Sequence, residues 1–165
     1  MIAAIVAFTF SASAALPFDK YTIKRSELPQ EAQTMLSEHF PKAKISMIKV
    51  DRHLLKKTDY DVRLTNGTKI EFSNKGKWTS VEVKKGSVPE ALLHKTIRNH
   101  VSRTFADLEV RKVVKKLSGY DIRLSDNSEH RYDLLGIYKG VKTASEIEAE
   151  STDTDSPKET EEETA

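Results

Sequence analysis

Tyr60-Asp61-Val62-Arg63-Leu64 and Tyr120-Asp121-Ile122-Arg123-Leu124 lie sixty residues apart, and the same spacing separates Leu28-Pro29 from Val88-Pro89. Recurrence at a fixed period is the mark of one supersecondary unit written more than once. Within each pentapeptide apolar side chains alternate with charged ones, the period of a strand with one buried face. Outward from the first copy, Pro29 opens a helix whose Ala32, Met35, Leu36 and Phe40 share one side, and Pro41 closes it. Ile45, Met47, Ile48 and Val50 form a strand pattern that changes phase at 47–48, which predicts a bulge there. Asn66-Gly67 is a two-residue hairpin turn leading to Ile70 and Phe72, with Lys69 and Glu71 on the alternate side. Asn74-Lys75-Gly76 turns the chain into a last strand carrying Trp78, Val81 and Val83. Ahead of all this, Phe18 to Arg25 is a lead-in whose Tyr21 and Ile23 fit a short edge strand.

The second copy repeats the plan. Ser87-Val88-Pro89-Glu90 has capping-box spacing before a helix with Leu93, Ile97, Val101 and Phe105 as its apolar stripe. Leu108, Val110 and Val114 predict a strand; Tyr120, Ile122 and Leu124 another, ending in a turn at Asp126-Asn127. Tyr132 matches Phe72, Gly136 matches Gly76 and Tyr138 matches Trp78 at the sixty-residue offset, whereas Phe105 follows Phe40 by 65. The second helix is therefore expected to be a turn longer and the hairpin after it shorter. One helix on four strands makes only a small core. The expected fold is α+β: two tandem helix-plus-four-strand repeats, about 26–83 and 87–143, joined in one antiparallel sheet with helices on one face and a polar face open to water.

The ends read differently. Residues 1–14 contain an apolar run from Ile2 to Phe10 and an Ala12-Ser13-Ala14 cleavage pattern, which predicts a signal peptide and export, although no Lys or Arg precedes the run. It is too short for a permanent span, so no membrane segment is expected after its removal. Residues 144–165 hold nine of the 25 acids and one of the 27 bases, and almost no large apolar side chain. They are expected to be a disordered acidic tail. The remainder is basic, which points to an anionic partner or to a tail that shields the body.

The chain has no cysteine, so disulfides, thiolate metal sites and thiol nucleophiles are excluded. His39, His53, His94, His100 and His130 are scattered with no zinc-binding spacing, and no phosphate loop, dinucleotide fingerprint or nucleophile elbow is present. No cofactor, metal or catalytic residue is assigned. Asp59 and Asp61 share a strand face and Asp121 repeats Asp61, the raw material of a carboxylate hydrolase. Arg63, Arg123, Arg131 and Lys69 fall on the same face, where they would pair with these acids and keep them ionised. Asn66, Asn74, Asp126 and Asn127 could add oxygen ligands for calcium. Lys56-Lys57, Lys84-Lys85, Lys112 and Lys115-Lys116 could meet phosphate or anionic glycan, but the aromatics fit a core rather than a stacking platform, so nucleic acid is not expected. Trp78 and Tyr138 are expected to pack under the helices; facing solvent, they would instead anchor a protein partner.

These residues carry a resemblance. Leu28-Pro29, Phe40-Pro41-Lys42-Ala43, Tyr60-Asp61-Val62-Arg63-Leu64-Thr65-Asn66-Gly67, Ile70-Glu71-Phe72 and Asn74-Lys75-Gly76-Lys77-Trp78 resemble the β-lactamase-inhibitor-like, PepSY-like periplasmic proteins of Bacteroides-type bacteria, over about residues 26–140. The resemblance implies a tandem α+β fold like that of β-lactamase inhibitor protein, periplasmic location and no established activity. It also implies calcium responsiveness in some relatives, against which Asn74 and Lys75 replace acids here. The expected function is a non-enzymatic periplasmic protein-binding module, including inhibition of a periplasmic enzyme. Its binding face would carry Asp59, Asp61, Arg63, Lys69, Glu71, Asp121, Arg123 and Arg131. The alternatives are a carrier or sensor of a small anionic ligand or calcium, and behind it a hydrolase on Asp59, Asp61 and Asp121.

Overall fold

A computed structural model describes residues 19–51, 59–143 and 145–147. The expected signal peptide, His53, Lys56-Lys57 and the tail beyond residue 147 lie outside the described residues. Nine strands form a single sheet in chain order: β1 (Lys20–Thr22), β2 (Ile45–Asp51), β3 (Asp59–Leu64), β4 (Lys69–Phe72), β5 (Trp78–Glu82), β6 (Val110–Lys116), β7 (Gly119–Leu124), β8 (Glu129–Asp133) and β9 (Tyr138–Val141). Every neighbouring pair is antiparallel. Helix α1 (Gln30–His39) precedes β2, and α2 (Lys95–Thr104) sits in the connection between β5 and β6.

One cross-strand row shows why the sheet is continuous. Ile48, Val62, Ile70, Val81, Val113, Ile122 and His130 stand opposite one another from β2 to β8, and all are buried. Ala32, Met35 and Leu36 of α1 and Ile97 and Val101 of α2 join them in one core. Burial of each large aliphatic in that row stabilises the fold by about 1.5–3 kcal/mol. The Val81–Val113 pair spans the β5–β6 junction, so the core does not divide there.

Helix α1 forms where strong helix formers follow Pro29, which is its N-cap rather than its first residue; Phe40 is the C-cap and Pro41 prevents continuation. The second helix differs from expectation. Glu90–Leu92 is a separate 3-10 turn, α2 begins at Lys95, and both helices have ten residues. Ser87 caps nothing. Its hydroxyl accepts from Val110 N–H at 3.2 Å and lies 3.4 Å from Val110 O, tying the chain to β6, while His94 Nδ1 accepts from Thr96 N–H at 3.3 Å as the true cap. A strand-edge hydrogen bond thus outcompetes the local capping pattern.

Other details also shift. The first bulge falls between Ile45 and Met47 rather than at 47–48, and a matching irregularity lies between Val110 and Lys112. That second bulge puts Val113 in the core and turns Val114 to the opposite face. Trp78 and Tyr138 pack against the core as expected. Tyr138 stacks on His100 with ring centroids 4.7 Å apart, and Lys115 Nζ lies 3.4 Å from the Trp78 ring centroid.

Candidate functional site: the open face of the sheet

The face away from the helices is written by two adjoining rows. Tyr21, Lys49, Asp61, Glu71, Ser80, Val114, Asp121, Arg131 and Gly140 run opposite one another across all nine strands. Met47, Arg63, Lys69, Glu82, Lys112, Arg123 and Glu129 form the next row. Asp59 opposes Asp51 beside them. All eight residues expected on the binding face therefore share one surface, because period-two alternation survives each hairpin.

Their pairing is not the expected one. Arg123 Nη2 contacts Glu82 Oε1 at 2.6 Å and Arg131 Nη2 contacts Glu146 Oε1 at 2.6 Å. Asp121 is held instead by Lys142 at 2.8 Å and Lys116 at 2.7 Å. Among the described residues Lys142 is the most enclosed charge, its side chain 2% exposed, with Glu129 Oε2 at 3.7 Å. Its backbone N–H donates to Glu129 O at 2.7 Å, which extends the ladder past β9. Burial of an ammonium requires such compensation. No sequence pattern singled out Lys142, Lys116, Glu82 or Glu129 as partners, since the pairing depends on register between strands.

At the other end the face is acidic. Asp61 and Glu71 are directly opposed like charges. Partial burial raises the Asp61 carboxyl above its ordinary value; Lys49 opposes the rise, and Asp51 and Asp59 add to it. Glu71 is raised by the same loss of water and by Asp61. Of the bases expected to keep these acids ionised, Arg123 and Arg131 pair with Glu82 and Glu146, and Arg63 offsets the rise at Asp61 less than Lys49 does. Asp61 and Asp121 are four strand spacings apart, about 19 Å, so Asp59, Asp61 and Asp121 do not converge on one reacting atom. Among the described residues no group of three His, Asp or Glu side chains is placed to hold a metal ion.

One hydroxyl–imidazole–carboxylate contact exists under the helices. Ser128 Oγ donates to Asp126 Oδ1 at 2.6 Å and lies 2.8 Å from His130 Nε2, while Tyr138 Oη lies 3.3 Å from His130 Nδ1. The serine bridges histidine and carboxylate, so the histidine is not positioned between them as a hydrolytic triad requires. Burial depresses His130, and the hydrogen-bond pattern assigns its proton to Nε2. This is a satisfied core histidine.

The floor of the open face between β4 and the chain after β9 is a shallow groove of about 370 Å³, bordered by Lys112, Lys116, Asp121, Arg123, Lys142 and Ile147. Ile147 arrives there because Thr143 and Glu146 form a capping pair. The Thr143 N–H donates to Glu146 Oε2 at 2.9 Å, and Ile147 N–H donates back to Thr143 O at 3.1 Å. Residues 145–147 are helical and fold against the sheet, although the expected tail begins at 144. The Thr-x-x-Glu spacing was the available sequence signal for this turn.

A nine-stranded antiparallel sheet with helices on one side and a charged, water-facing surface on the other makes this an α+β protein. The chain belongs to the PepSY-like family described as beta-lactamase-inhibitor-like, whose model matches residues 58–139. It is similar to a periplasmic protein of Bacteroides vulgatus described as of unknown function, at 28% identity and TM-score 0.73 over 76% of this chain and all of the other. A Bacteroides thetaiotaomicron protein described as calcium-regulated and periplasmic matches at 32% identity and TM-score 0.71, covering 76% of this chain and 97% of that one. A second Bacteroides vulgatus periplasmic protein matches at 34% identity and TM-score 0.70, again over 76% and 97%. No curated protein matches the chain. No helix among the described residues is long and apolar enough to cross a membrane.

Proposed function

We propose that this is an exported, periplasmic, non-enzymatic binding protein that docks another protein on the open face of its sheet, in the manner of an inhibitor. The observation that carries this reading is the charge on the open face: Arg63, Lys69, Glu82, Lys112, Arg123 and Glu129 follow one another from β3 to β8, beside a row in which Ser80 and Val114 separate Lys49, Asp61 and Glu71 from Asp121 and Arg131. A broad platform of alternating sign suits recognition of a complementary protein surface, because charge pattern selects partners and register. The two halves, each a helix followed by four strands, are equivalent modules in this reading. Support comes from their matched pairings, Tyr60 with Phe72 and Tyr120 with Tyr132, and from Phe72 with Trp78 and Tyr132 with Tyr138.

The test is crosslinking and capture from native periplasm with the purified chain, compared with the Arg63→Glu and Arg123→Glu variant. A defined partner lost on charge reversal supports the reading. Capture unaffected by the reversal would move the docking surface elsewhere. Thermal shift with calcium, phosphate and anionic glycans addresses the small-ligand alternative. Stabilisation by one of these, with no protein captured, would favour that alternative.

A further inference from the structure

We propose that the end of the sheet formed by the β4–β5, β6–β7 and β8–β9 turns docks on an anionic lipid bilayer, inserting Leu117, Leu134, Leu135 and Ile137 at the base of the headgroups. None of these side chains belongs to the two charged rows, so the proposal stands apart from the open-face reading.

Pairing of Lys116 with Gly119, Gly119 with Asp133 and Tyr132 with Tyr138 sets the β6–β7 and β8–β9 turns side by side, two strand spacings or about 10 Å apart. The β4–β5 turn lies at the same end, where Lys115 of β6 sits over Trp78 of β5. Among the described residues seven large apolar side chains are exposed. Four of them are on these turns, Leu117 fully and the other three between 49% and 68%.

A matched turn shows that the fold does not ask for them. Ser73-Asn74-Lys75-Gly76-Lys77-Trp78 and Asp133-Leu134-Leu135-Gly136-Ile137-Tyr138 close with the same two hydrogen bonds. Ser73 N–H donates to Lys77 O at 2.9 Å and Gly76 N–H to Ser73 O at 2.8 Å; Asp133 N–H donates to Ile137 O at 3.0 Å and Gly136 N–H to Asp133 O at 2.9 Å. Both glycines lie against the start of a helix, Gly76 on α1 and Gly136 on α2. An asparagine and two lysines serve the first turn, whereas two leucines and an isoleucine stand at the same places in the second and stay exposed. Apolar side chains that cluster on a surface and are not used in packing mark a contact. The second turn is also held in shape, because Asp133 Oδ1 accepts from Leu135 N–H at 3.0 Å and from Ile137 N–H at 2.9 Å, and Oδ2 pairs with Lys139 at 3.0 Å. Little ordering entropy is then lost on insertion.

The surroundings of these side chains define what they enter. Lys75, Lys77 and Lys115 are exposed, and among the described residues none of the three forms an ion pair. Burial, and Lys77 beside it, hold the Lys115 ammonium below its ordinary value, with Glu31 opposing. An anion next to Lys77 and Lys115 relieves that repulsion. Leucines standing on separate hairpins do not make one smooth patch for a protein surface. A fluid bilayer accepts each of them separately, to a depth of roughly 5–10 Å, while the lysines reach headgroup phosphates along its surface.

The chain has no native cysteine, so a single environment-sensitive fluorophore can be placed on the full chain at Ser118→Cys beside Leu117, or at Ser102→Cys in the last turn of α2 as control. Vesicles of phosphatidylglycerol and phosphatidylcholine in equal parts are compared with phosphatidylcholine alone. A blue shift is expected at Ser118 and not at Ser102, and on the mixed vesicles only. The combined Leu117→Ser, Leu134→Ser and Leu135→Ser variant should weaken the binding read at this label at least about tenfold. Lys75→Gln and Lys77→Gln should weaken it about fivefold per lysine. Both variants should keep the parent melting temperature. The apolar run at residues 2–10 is common to every variant, so any lipid affinity of its own cancels in these comparisons. No shift at Ser118, equal shifts at both sites, or an equal response to neutral vesicles would overturn the proposal. So would a shift that survives the leucine substitutions. Loss of a captured periplasmic protein in the leucine variant, with no response to lipid, would assign the patch to a protein interface instead and equally end the proposal.

Discussion

Glu71 carries an unfavourable charge placement on the described open face. It stands opposite Asp61 with Glu82 and Asp59 nearby, and its folded carboxyl is raised. An unfolded glutamate titrates near 4.3, so between that value and the raised folded one the native state holds the extra proton. Stability is therefore lost as pH rises through this window. Glu71→Gln should stabilise the protein at pH 7 by about 0.2–1 kcal/mol, the scale of a cross-strand pair. The gain should vanish below about pH 4, as urea titrations at both pH values will reveal. His130 has the opposite sign. Its folded value is depressed by burial, so the unfolded state takes the proton first. Stability is complete above about pH 6.5 and declines as pH falls towards the lowered value. His130→Phe should flatten that decline, measured as the melting temperature from pH 7 to pH 5. Both residues were visible as letters, but neither environment was. Glu71 needed its β3 neighbour, and His130 needed a helix above it.

At the scale of elements, turns lock the helices in place. Gly76 has φ +82°, and a Cβ there would lie 2.8 Å from Pro29 Cβ and 2.9 Å from Ala32 N. The β4–β5 turn is thus pressed onto the start of α1. Gly86 has φ +74° with nothing within 4 Å. Gly86→Ala should cost only the backbone term, about 1–2 kcal/mol, whereas Gly76→Ala should cost more because α1 must also move. Chemical denaturation of the two variants checks the order. Element identity was legible where a hydrophobic period coincided with a turn signal, as from Tyr60 through Asn66-Gly67 to Phe72. It failed at Ser87, where capping-box spacing was genuine but the hydroxyl was claimed by Val110 from a strand 23 residues later. Val114 lies in a strand as expected, but the face it takes depends on a bulge that local propensity does not specify.

At the scale of the whole molecule, the unbroken core row from Ile48 to His130 predicts one cooperative unfolding transition rather than two. Ile48→Ala and Ile122→Ala, each about 2–5 kcal/mol, should shift the same transition in calorimetry. A biphasic melt in either variant would mean that the sheet divides at β5–β6. The sequence by itself determined the kind of protein this is: the strand alternation, the paired helices, the polar outer face and the family are all local or periodic information. Only the tertiary structure decided which charges meet, because ion pairs such as Arg123 with Glu82 join residues 41 apart in the chain. It also decided that Lys142 is enclosed between Asp121 and Glu129 and that the chain after β9 turns back onto the sheet. Alternation sets which face a side chain takes, but its neighbours across the ladder follow from strand order and register, and these emerge only when the sheet closes over its core.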